Sequence, residues 1–250
     1  MSIERYYNRE ITPWTGEHLH RYIEAKKFVK PGNRVLDIAC GSGYGANILS
    51  EVPGATIYAG DIDHDTIADC KLEWKDSESV HFEVMNAGSL RFEDDFFDVI
   101  VSLETIEHLK GYKQMVAEFG RVIKQGGVVI ISTPNIKISS PGGKVLNPYH
   151  TQEFSYDELK DVLKARFSEV AISGQKYTRY ENKRETRFKY FMERLLLTRG
   201  IRKVSYCIRN GIFKSIFKLP LYPEIGDYQL FRDRNFIEGN CHVLFAVCKK

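Results

Sequence analysis

A turn with three glycines at alternate positions constrains the fold more than any other feature of this chain. The turn, Cys40-Gly41-Ser42-Gly43-Tyr44-Gly45, directly follows the β-branched run Arg34–Ile38. Glycine is needed in such a turn because a side chain would keep the backbone away from a ligand, and because the turn uses positive φ angles. A strand that leads into a turn of this kind predicts an α/β fold with a ligand at the strand end.

Short β-branched runs alternate with helical stretches over most of the chain, as is typical of a parallel sheet with crossover helices. The predicted strands are Arg34–Ile38, Thr56–Asp61, Val80–Val84, Phe97–Leu103, Val128–Thr133, a strand around Ala171, and His242–Cys248. Predicted helices start near Tyr44 and cover Thr66–Glu73, Tyr112–Val122 and Ser155–Lys164, the last capped by Ser155 with Glu158. The sequence therefore predicts a seven-stranded, mostly parallel sheet with helices on both faces.

Composition argues against several classes of protein. The chain is 43% hydrophobic and 28% charged, which is ordinary for a globular protein. No run of roughly 18 uncharged apolar residues is present, and the first residues lack the apolar core of a secretory signal. The five cysteines form no CxxC pair, which favours free thiols in a reducing compartment. We therefore expect a cytoplasmic protein rather than a secreted or membrane-spanning one.

Two acidic residues accompany the glycine-rich turn. Asp37 lies near the end of the first predicted strand, and Asp61 ends the second, about twenty residues past the glycines, where a carboxylate can accept hydrogen bonds from ribose hydroxyls. A nicotinamide site favours the spacing GxGxxG and a phosphate at the helix start, whereas this turn reads GxGxG beside an acidic residue. The acidic rim suits a ligand with a sulfonium and an ammonium, so it favours S-adenosylmethionine over NAD.

Four segments resemble, in order, the motifs of the class I S-adenosylmethionine-dependent methyltransferases, in particular the type 11 or UbiG-like group. The segments are VLDIACGSGYG (35–45), GDID (60–63), FDVIVSLETIEHL (97–109) and RVIKQGGVVIISTPN (121–135). The resemblance covers about residues 30–170 and implies a Rossmann-like fold, S-adenosylmethionine as cofactor, and methyl transfer as the reaction.

The resemblance also implies roles for individual residues. It places Asp37, Gly41 and Gly43 beside the methionine moiety, Asp61 on the ribose, and Ile62 against the adenine. Further cofactor-binding positions are Ala39, Asn86, Ala87 and Leu103. The family commonly has Asp at the position of Asn86, whose amide oxygen can still accept a hydrogen bond from the adenine amino group; the alternative is a plain turn residue.

A helix is expected around residues 17–22, lying over the cofactor. Arg21 would then meet the methionine carboxylate; the alternative is a helix packed on the domain with its charges in solvent. The chain is accordingly expected to divide into a cofactor-covering helix (1–30), a Rossmann-like core (31–174), a basic helical insertion (175–240), and the last strand of the core sheet (241–250).

Candidate catalytic groups follow the fourth predicted strand. Helical spacing would make neighbours of Glu104, Glu107 and His108, and His150 could join them from a later segment. The four side chains could bind Mg²⁺, and the ExxEH pattern is similar to that of metal-dependent ubiquinone-pathway and small-RNA 2′-O-methyltransferases. Two alternatives stay open: His108 or His150 acts as a metal-free base, with Glu104 lining the site, or none of these residues takes part.

The insertion carries a strong positive charge. Residues 176–218 hold 13 Lys or Arg against 3 Glu, interleaved with aromatic and aliphatic residues. This pattern predicts one or two amphipathic basic helices, which could contact an anionic membrane surface on the inner face or bind an acidic or diphosphate-bearing substrate. The alternative is a lid or an oligomer-forming element. RNA is the less favoured partner, because the sequence contains no recognisable RNA-binding module.

A second resemblance concerns the substrate. The segments ERYYNRE, GEHLHRYIEAKKFV and NPYHTQEF are similar to those of methyltransferases found with glycosyltransferases in bacterial cell-surface glycan pathways. It implies O-methylation in polysaccharide biosynthesis, on a sugar or other small hydroxylated acceptor that could be lipid-linked or acidic. The alternatives are a Mg²⁺-dependent RNA or quinone-type O-methyltransferase, a non-catalytic binding protein, and a nicotinamide oxidoreductase of the same fold.

Overall fold

The computed structural model describes residues 12–179, 186–196 and 204–250. It divides the chain into two compact units. The core unit contains residues 21–176 and 230–250, and the insertion unit contains the described parts of 12–20 and 177–229. The division differs from the expected segments: residues 12–20 group with the insertion, and residues 21–30, 175–176 and 230–240 group with the core.

One sheet of eight strands forms the centre of the fold, in the order β3-β2-β1-β4-β5-β8-β6-β7. The strands are β1 (Arg34–Ile38), β2 (Thr56–Asp61), β3 (Val80–Val84), β4 (Phe97–Leu103), β5 (Ile123–Pro134), β6 (Glu169–Tyr177), β7 (Tyr228–Phe231) and β8 (Val243–Lys249). Strands β1 to β5 pair in parallel, and β8 is antiparallel to both β5 and β6. The mostly parallel α/β sheet is confirmed, with eight strands rather than seven.

Helices connect these strands. They are α1 (Thr15–Lys26), α2 (Tyr44–Ser50), α3 (His64–Glu73), α4 (Tyr112–Val122), α5 (Ile136–Ser139), α6 (Tyr156–Lys164), α7 (Thr186–Leu196), α8 (Tyr206–Phe217) and α9 (Arg234–Asn240). Ser155 and Glu158 form the expected capping box at the start of α6. No helix in the described parts of the chain is long and apolar enough to cross a membrane.

Strand β5 begins earlier than the sequence predicts. Helix α4 has the predicted bounds, but the turn that the sequence predicts at Gly126 and Gly127, between this helix and a strand from Val128, does not separate them, because Ile123 is already extended. Ile123 pairs with Phe97 of β4, so the chain joins the sheet before it reaches the glycines. Gly126, with φ of 74°, therefore lies within the strand rather than at the helix end.

The order of the strands determines where a ligand can bind. From β1 the chain proceeds through β2 to β3 on one side, and through β4 to β5 on the other. Open α/β sheets bind ligands at such a reversal point, beyond the carboxyl ends of the two central strands. The residues that follow β1 and β4, from Ala39 and from Glu104 onward, therefore stand at the expected ligand site.

Candidate cofactor and catalytic site

Asp61 fixes the glycine-rich turn to the end of β2. Its Oδ2 accepts a hydrogen bond from the Gly41 N–H at 3.1 Å, and its Oδ1 accepts one from the Asp63 N–H at 3.1 Å. Asp63 in turn caps α3 by accepting a hydrogen bond from the Thr66 N–H at 2.7 Å. The Asp61 carboxylate is thus held in one orientation by two backbone donors.

Two glycines of the turn have different surroundings. Both have positive φ, 53° at Gly41 and 77° at Gly43. A Cβ at Gly41 would meet no atom of the described residues within 4 Å, whereas a Cβ at Gly43 would lie 2.8 Å from both Phe82 and Trp74. Gly41 therefore borders open space that a ligand can enter, and Gly43 allows two aromatic side chains to pack beneath the turn.

Asp37 is fully buried at the end of β1. The Tyr22 hydroxyl of α1 donates a hydrogen bond to its Oδ1 at 3.1 Å. Burial raises the pKa of Asp37 to about 7, the hydrogen bond from Tyr22 lowers it, and the charge of Asp61 raises it further. A cation placed beside Asp37 would favour its ionised form.

A cleft of about 430 Å³ opens beside the ends of β2 and β3. Its lining includes Ile62, which is 64% exposed, and Asn86. The Asn86 Oδ1 accepts a hydrogen bond from the Gly88 N–H at 2.9 Å, which leaves that oxygen a second lone pair for a ligand. Ala87, the next residue, is buried.

Backbone strain marks the ends of both central strands. Ala39 after β1 and Glu104 after β4 have φ of 62° and 53°, a left-handed conformation that is uncommon outside glycine. Leu103, which ends β4, is buried. Non-glycine residues in this conformation cluster at ligand sites, where surrounding contacts hold them.

Arg21 and Glu104 are both held within the core unit. The Arg21 side chain is 1% exposed, and its Nη1 donates a hydrogen bond to Gln175 Oε1 at 2.7 Å. Its Nη2 lies 3.9 Å from Glu104 Oε1, which also accepts a hydrogen bond from the Ser132 hydroxyl at 2.8 Å. The charge of Arg21 is therefore buried. The alternative interpretation, in which the charges of this helix lie in solvent, does not hold for Arg21.

Three of the four expected metal ligands lie together. Glu107, His108 and His150 each offer a ligand atom, and these atoms lie within 4.8 Å of one another. Glu104 is not part of this group, because its carboxylate faces Ser132 and Arg21.

Glu107 is the buried member of the group. Its Oε2 accepts a hydrogen bond from the Thr133 hydroxyl at 2.9 Å, and its Oε1 has no hydrogen-bond partner among the described residues. Burial raises the pKa of Glu107 to about 8, and the charge of Glu104 raises it further. An unpartnered buried carboxylate oxygen needs explaining, and a bound ligand or ion would satisfy it.

His150 is oriented by a carboxylate that the sequence analysis did not identify. Its Nδ1 lies 2.8 Å from Glu153 Oε1, and the Ser139 hydroxyl donates a hydrogen bond to the other oxygen of Glu153 at 2.5 Å. Burial would raise the pKa of Glu153, but the hydrogen bonds from Ser139 and His150 lower it below its usual value. The sequence shows that His150 and Glu153 are three residues apart. This spacing brings side chains together in a helix, but no helix was predicted there, so the contact was not expected.

The hydrogen bonds of His150 define its tautomer. The Asn147 Nδ2 lies 2.9 Å from His150 Nε2, and the Asn147 Oδ1 accepts a hydrogen bond from the Tyr149 N–H, which fixes the amide orientation. Because an amide nitrogen only donates, His150 Nε2 carries a lone pair and Nδ1 carries the proton. The ring centroid of His108 lies 4.9 Å away, and His108 Nδ1 is 2.9 Å from the Tyr149 carbonyl.

Relatives with known names share the central part of the chain. Residues 36–131 match the family model described as a methyltransferase domain. A probable S-adenosylmethionine-dependent methyltransferase of Mycolicibacterium smegmatis is 37% identical over 140 residues, covering 56% of this chain and 53% of that protein. A second, from Mycobacterium tuberculosis, is 38% identical over 144 residues, covering 56% of this chain and 50% of the relative. The chain thus spans about half the length of the curated relatives that it matches.

Solved structures share the fold. The chain resembles phosphoethanolamine N-methyltransferase 2 of Haemonchus contortus in complex with S-adenosylmethionine, with a TM-score of 0.61 and 20% identity, covering 98% of this chain and 55% of that chain. It also resembles the [4+2]-cyclase SpnF, with a TM-score of 0.62 and 17% identity, covering 98% and 86% of the two chains. At these identities the likeness concerns the fold alone. The match over residues 36–131 agrees with the expected family, and this part of the chain is similar to the methyltransferase domains of these relatives.

Proposed function

We propose that the protein is an S-adenosylmethionine-dependent O-methyltransferase, acting on a sugar or another small hydroxylated acceptor in cell-surface glycan biosynthesis. The observation that carries the choice of oxygen is the contact of His150 with Glu153, which leaves His150 Nε2 as a proton acceptor. An alcohol is too weak an acid to ionise in water at neutral pH, so its methylation benefits from a positioned base. An amine can lose its proton to water, and it needs such a base less.

The cofactor would be held by residues at the ends of β1, β2 and β4. When bound, S-adenosylmethionine supplies a methyl group on a positively charged sulfur. Asp61, already oriented by two N–H groups, would accept hydrogen bonds from the ribose hydroxyls, and buried Asp37 would face positive charge. The open space at Gly41 supports a close approach to the turn. The adenine would be held in the cleft lined by Ile62 and Asn86.

His150 would remove the acceptor proton while the site aligns the nucleophile. Alignment is the main requirement of an in-line displacement, and oriented groups can contribute several kcal/mol to it. Glu153 would stabilise the imidazolium that forms, because it accepts the hydrogen bond from Nδ1. Arg21 could bind a ligand carboxylate only if its guanidinium moved away from Glu104. In the structure its Nη2 lies 3.9 Å from Glu104 Oε1.

Cofactor choice can be tested by calorimetric titration with S-adenosylhomocysteine and, in parallel, with NAD. We expect the homocysteine product to bind and NAD to give no heat of binding. The reverse result would contradict the proposal. A structural neighbour with this fold is named as a cyclase, so a test of the reaction itself is also needed.

Methyl transfer can be tested on a panel of nucleotide sugars and lipid-linked oligosaccharides, with release of S-adenosylhomocysteine as the readout. We expect an acceptor that forms a methyl ether, identified by mass spectrometry, and a large loss of turnover in His150→Ala. A methylated nitrogen as the only product would contradict the O-methyltransferase proposal.

A metal-assisted O-methyltransferase, of the RNA or quinone type, is the second candidate. It is favoured by the grouping of Glu107, His108 and His150, and by Glu107 Oε1, which has no hydrogen bond among the described residues and lies 3.9 Å from His108 Nε2. Both histidines have Nδ1 near an oxygen, of Tyr149 and of Glu153, as metal-binding histidines usually do.

The donor set decides which ion would fit. Two imidazoles and one carboxylate suit a transition metal better than Mg²⁺, which prefers oxygen ligands. A bound ion would lower the pKa of the acceptor hydroxyl. Either role would require His150 Nε2 to exchange the hydrogen bond from Asn147 for the ion or for the acceptor hydroxyl, so this contact does not separate the two candidates.

A further inference from the structure

Helix α8 of the insertion unit has one apolar face packed inside the unit. Phe213 is fully buried and packs in a cluster with Leu196 and Tyr222. Arg209, also buried, donates hydrogen bonds to the Leu196 carbonyl at 3.1 Å and to the Tyr222 hydroxyl at 3.1 Å. These contacts fix the rotation of α8 about its own axis.

The other face of α8 is apolar and exposed. Ile208, Ile212 and Ile216 are 58%, 46% and 55% exposed, and their spacing of four residues places them on one side of the helix. We call these three residues the apolar stripe; its Cα atoms span about 12 Å along the axis. Val204, just before the helix, and Phe191 on α7, which packs against α8, are exposed as well. A contiguous apolar patch that stays exposed on a folded unit often marks an interaction site.

Positive charge lies beside the apolar stripe. Helix α8 has no acidic residue, and Lys214 and Lys218 are exposed, while the charge of Arg209 is buried inside the unit. The one acidic residue of α7, Glu193, is buried within 3.3 Å of Arg179. Residues 176–218 as a whole carry 13 basic and 3 acidic side chains. The exposed charges described on and just after α8, Lys214 and Lys218, are therefore both positive.

We propose that the apolar stripe and its basic surroundings dock on the surface of an anionic lipid bilayer. An exposed apolar helix face with adjacent Lys and Arg gains free energy both from apolar burial below the headgroups and from attraction to anionic lipid. A protein partner is less well matched, because the cores of protein interfaces are depleted of charged residues and of Lys in particular. This inference goes beyond the proposed function, since it concerns where the protein works and not what it methylates.

The experiment is co-sedimentation of the full chain with vesicles of phosphatidylcholine alone, or mixed with an equal amount of phosphatidylglycerol. We expect binding to the anionic vesicles that is at least about tenfold tighter than to neutral ones, and that weakens when salt is raised from about 0.1 M to about 1 M. Ile212→Glu should lower binding to the anionic vesicles at least about tenfold, because it places a negative charge in the middle of the stripe.

Leu72→Glu is the matched control, since Leu72 is an aliphatic residue, 75% exposed, on α3 of the core unit. It should bind vesicles as the unchanged protein does. Circular dichroism should show the same melting transition for all proteins, and Ile208→Gln combined with Ile216→Gln replaces Ile212→Glu if that variant unfolds.

Two outcomes would overturn the proposal. The first is binding to anionic vesicles that is absent, or that is equal in the folded stripe variants and in the unchanged protein. The second is a dimer in light scattering that the stripe variants dissociate, without any vesicle binding, because the stripe would then be covered by a second copy of the chain.

Discussion

Glu153 Oε1 lies 2.8 Å from Nδ1 of His150, and Asn147 lies 2.9 Å from the other ring nitrogen. The imidazole is therefore oriented from both sides, with the lone pair on Nε2. This arrangement suits the proposed general base, His150, with Glu153 as its orienting carboxylate.

His150→Ala should lower kcat by about 10²- to 10⁴-fold, the usual contribution of a general base. The Kd for S-adenosylhomocysteine should change less than about twofold, because the contacts described for His150 are with Glu153, Asn147 and His108, which are not assigned to the cofactor. Single-turnover kinetics and calorimetry measure the two quantities. Turnover at the rate of the unchanged protein would exclude His150 as the base.

Glu153→Gln should lower kcat by about tenfold or more while the base remains present. The substitution retains the size of the side chain but removes the negative charge that stabilises an imidazolium at His150. The pH–rate profile is the sharper measurement. Its lower limb should move to lower pH in Glu153→Gln, because the imidazolium loses the carboxylate that stabilises it. A lower limb that stays in place or moves to higher pH would contradict the role of Glu153.

Asp61→Ala should weaken S-adenosylhomocysteine binding at least about tenfold, or about 1.4 kcal/mol. The change removes the ribose acceptor and frees the Gly41 N–H. Asp63→Ala is the matched control, because Asp63 caps α3 and has no proposed cofactor contact. Equal cofactor affinity in folded Asp61→Ala and in the unchanged protein would place the cofactor elsewhere.

Asp37 should make stability fall as the pH rises. Its pKa is about 7 in the folded chain and 3.8 ordinarily, so between these values the folded protein holds a proton that the unfolded chain has lost. The free energy of unfolding should therefore decrease through this window, by at most about 4 kcal/mol, and level off above it. Glu107, with a pKa raised to about 8, adds a slope of the same sign, so Asp37→Asn should reduce the slope in urea denaturation without abolishing it, whereas Asp63→Asn should leave it unchanged.

Chelation distinguishes the two candidate functions. With His150 as a metal-free base, EDTA should leave turnover unchanged, and elemental analysis of the purified protein should find no stoichiometric ion. The metal-assisted candidate would instead be supported if EDTA abolished turnover and Mn²⁺, Co²⁺ or Zn²⁺ restored it. The same ions should then fail to restore turnover in Glu107→Gln.

The sequence predicts the core sheet well because its strands have strong local signals. Four strands have the bounds that their β-branched runs predict: Arg34–Ile38, Thr56–Asp61, Val80–Val84 and Phe97–Leu103. Strand β7 has only four residues, Tyr228–Phe231, too few for a periodic pattern. It therefore escaped prediction and lay within the expected helical insertion.

The candidate site was predictable where it follows strand ends and less so where it depends on loop geometry. Asp61 and Gly41 could be placed from their positions after β2 and β1. The contact of Glu153 with His150 depends on a loop with no periodicity, and Glu104 was grouped with Glu107 on the assumption of helical spacing. The helix there is a short 3-10 helix, Ile106–His108, which begins after Glu104 and leaves that carboxylate with Ser132.

The two hydrogen bonds that hold the Asp61 carboxylate exist before any ligand arrives. A nucleoside that binds would thus find the Asp61 carboxylate already oriented. Little binding free energy would be lost to ordering this side chain. We therefore expect the ribose site to be preorganised, so that conformational change on binding is confined to the loops that receive the acceptor.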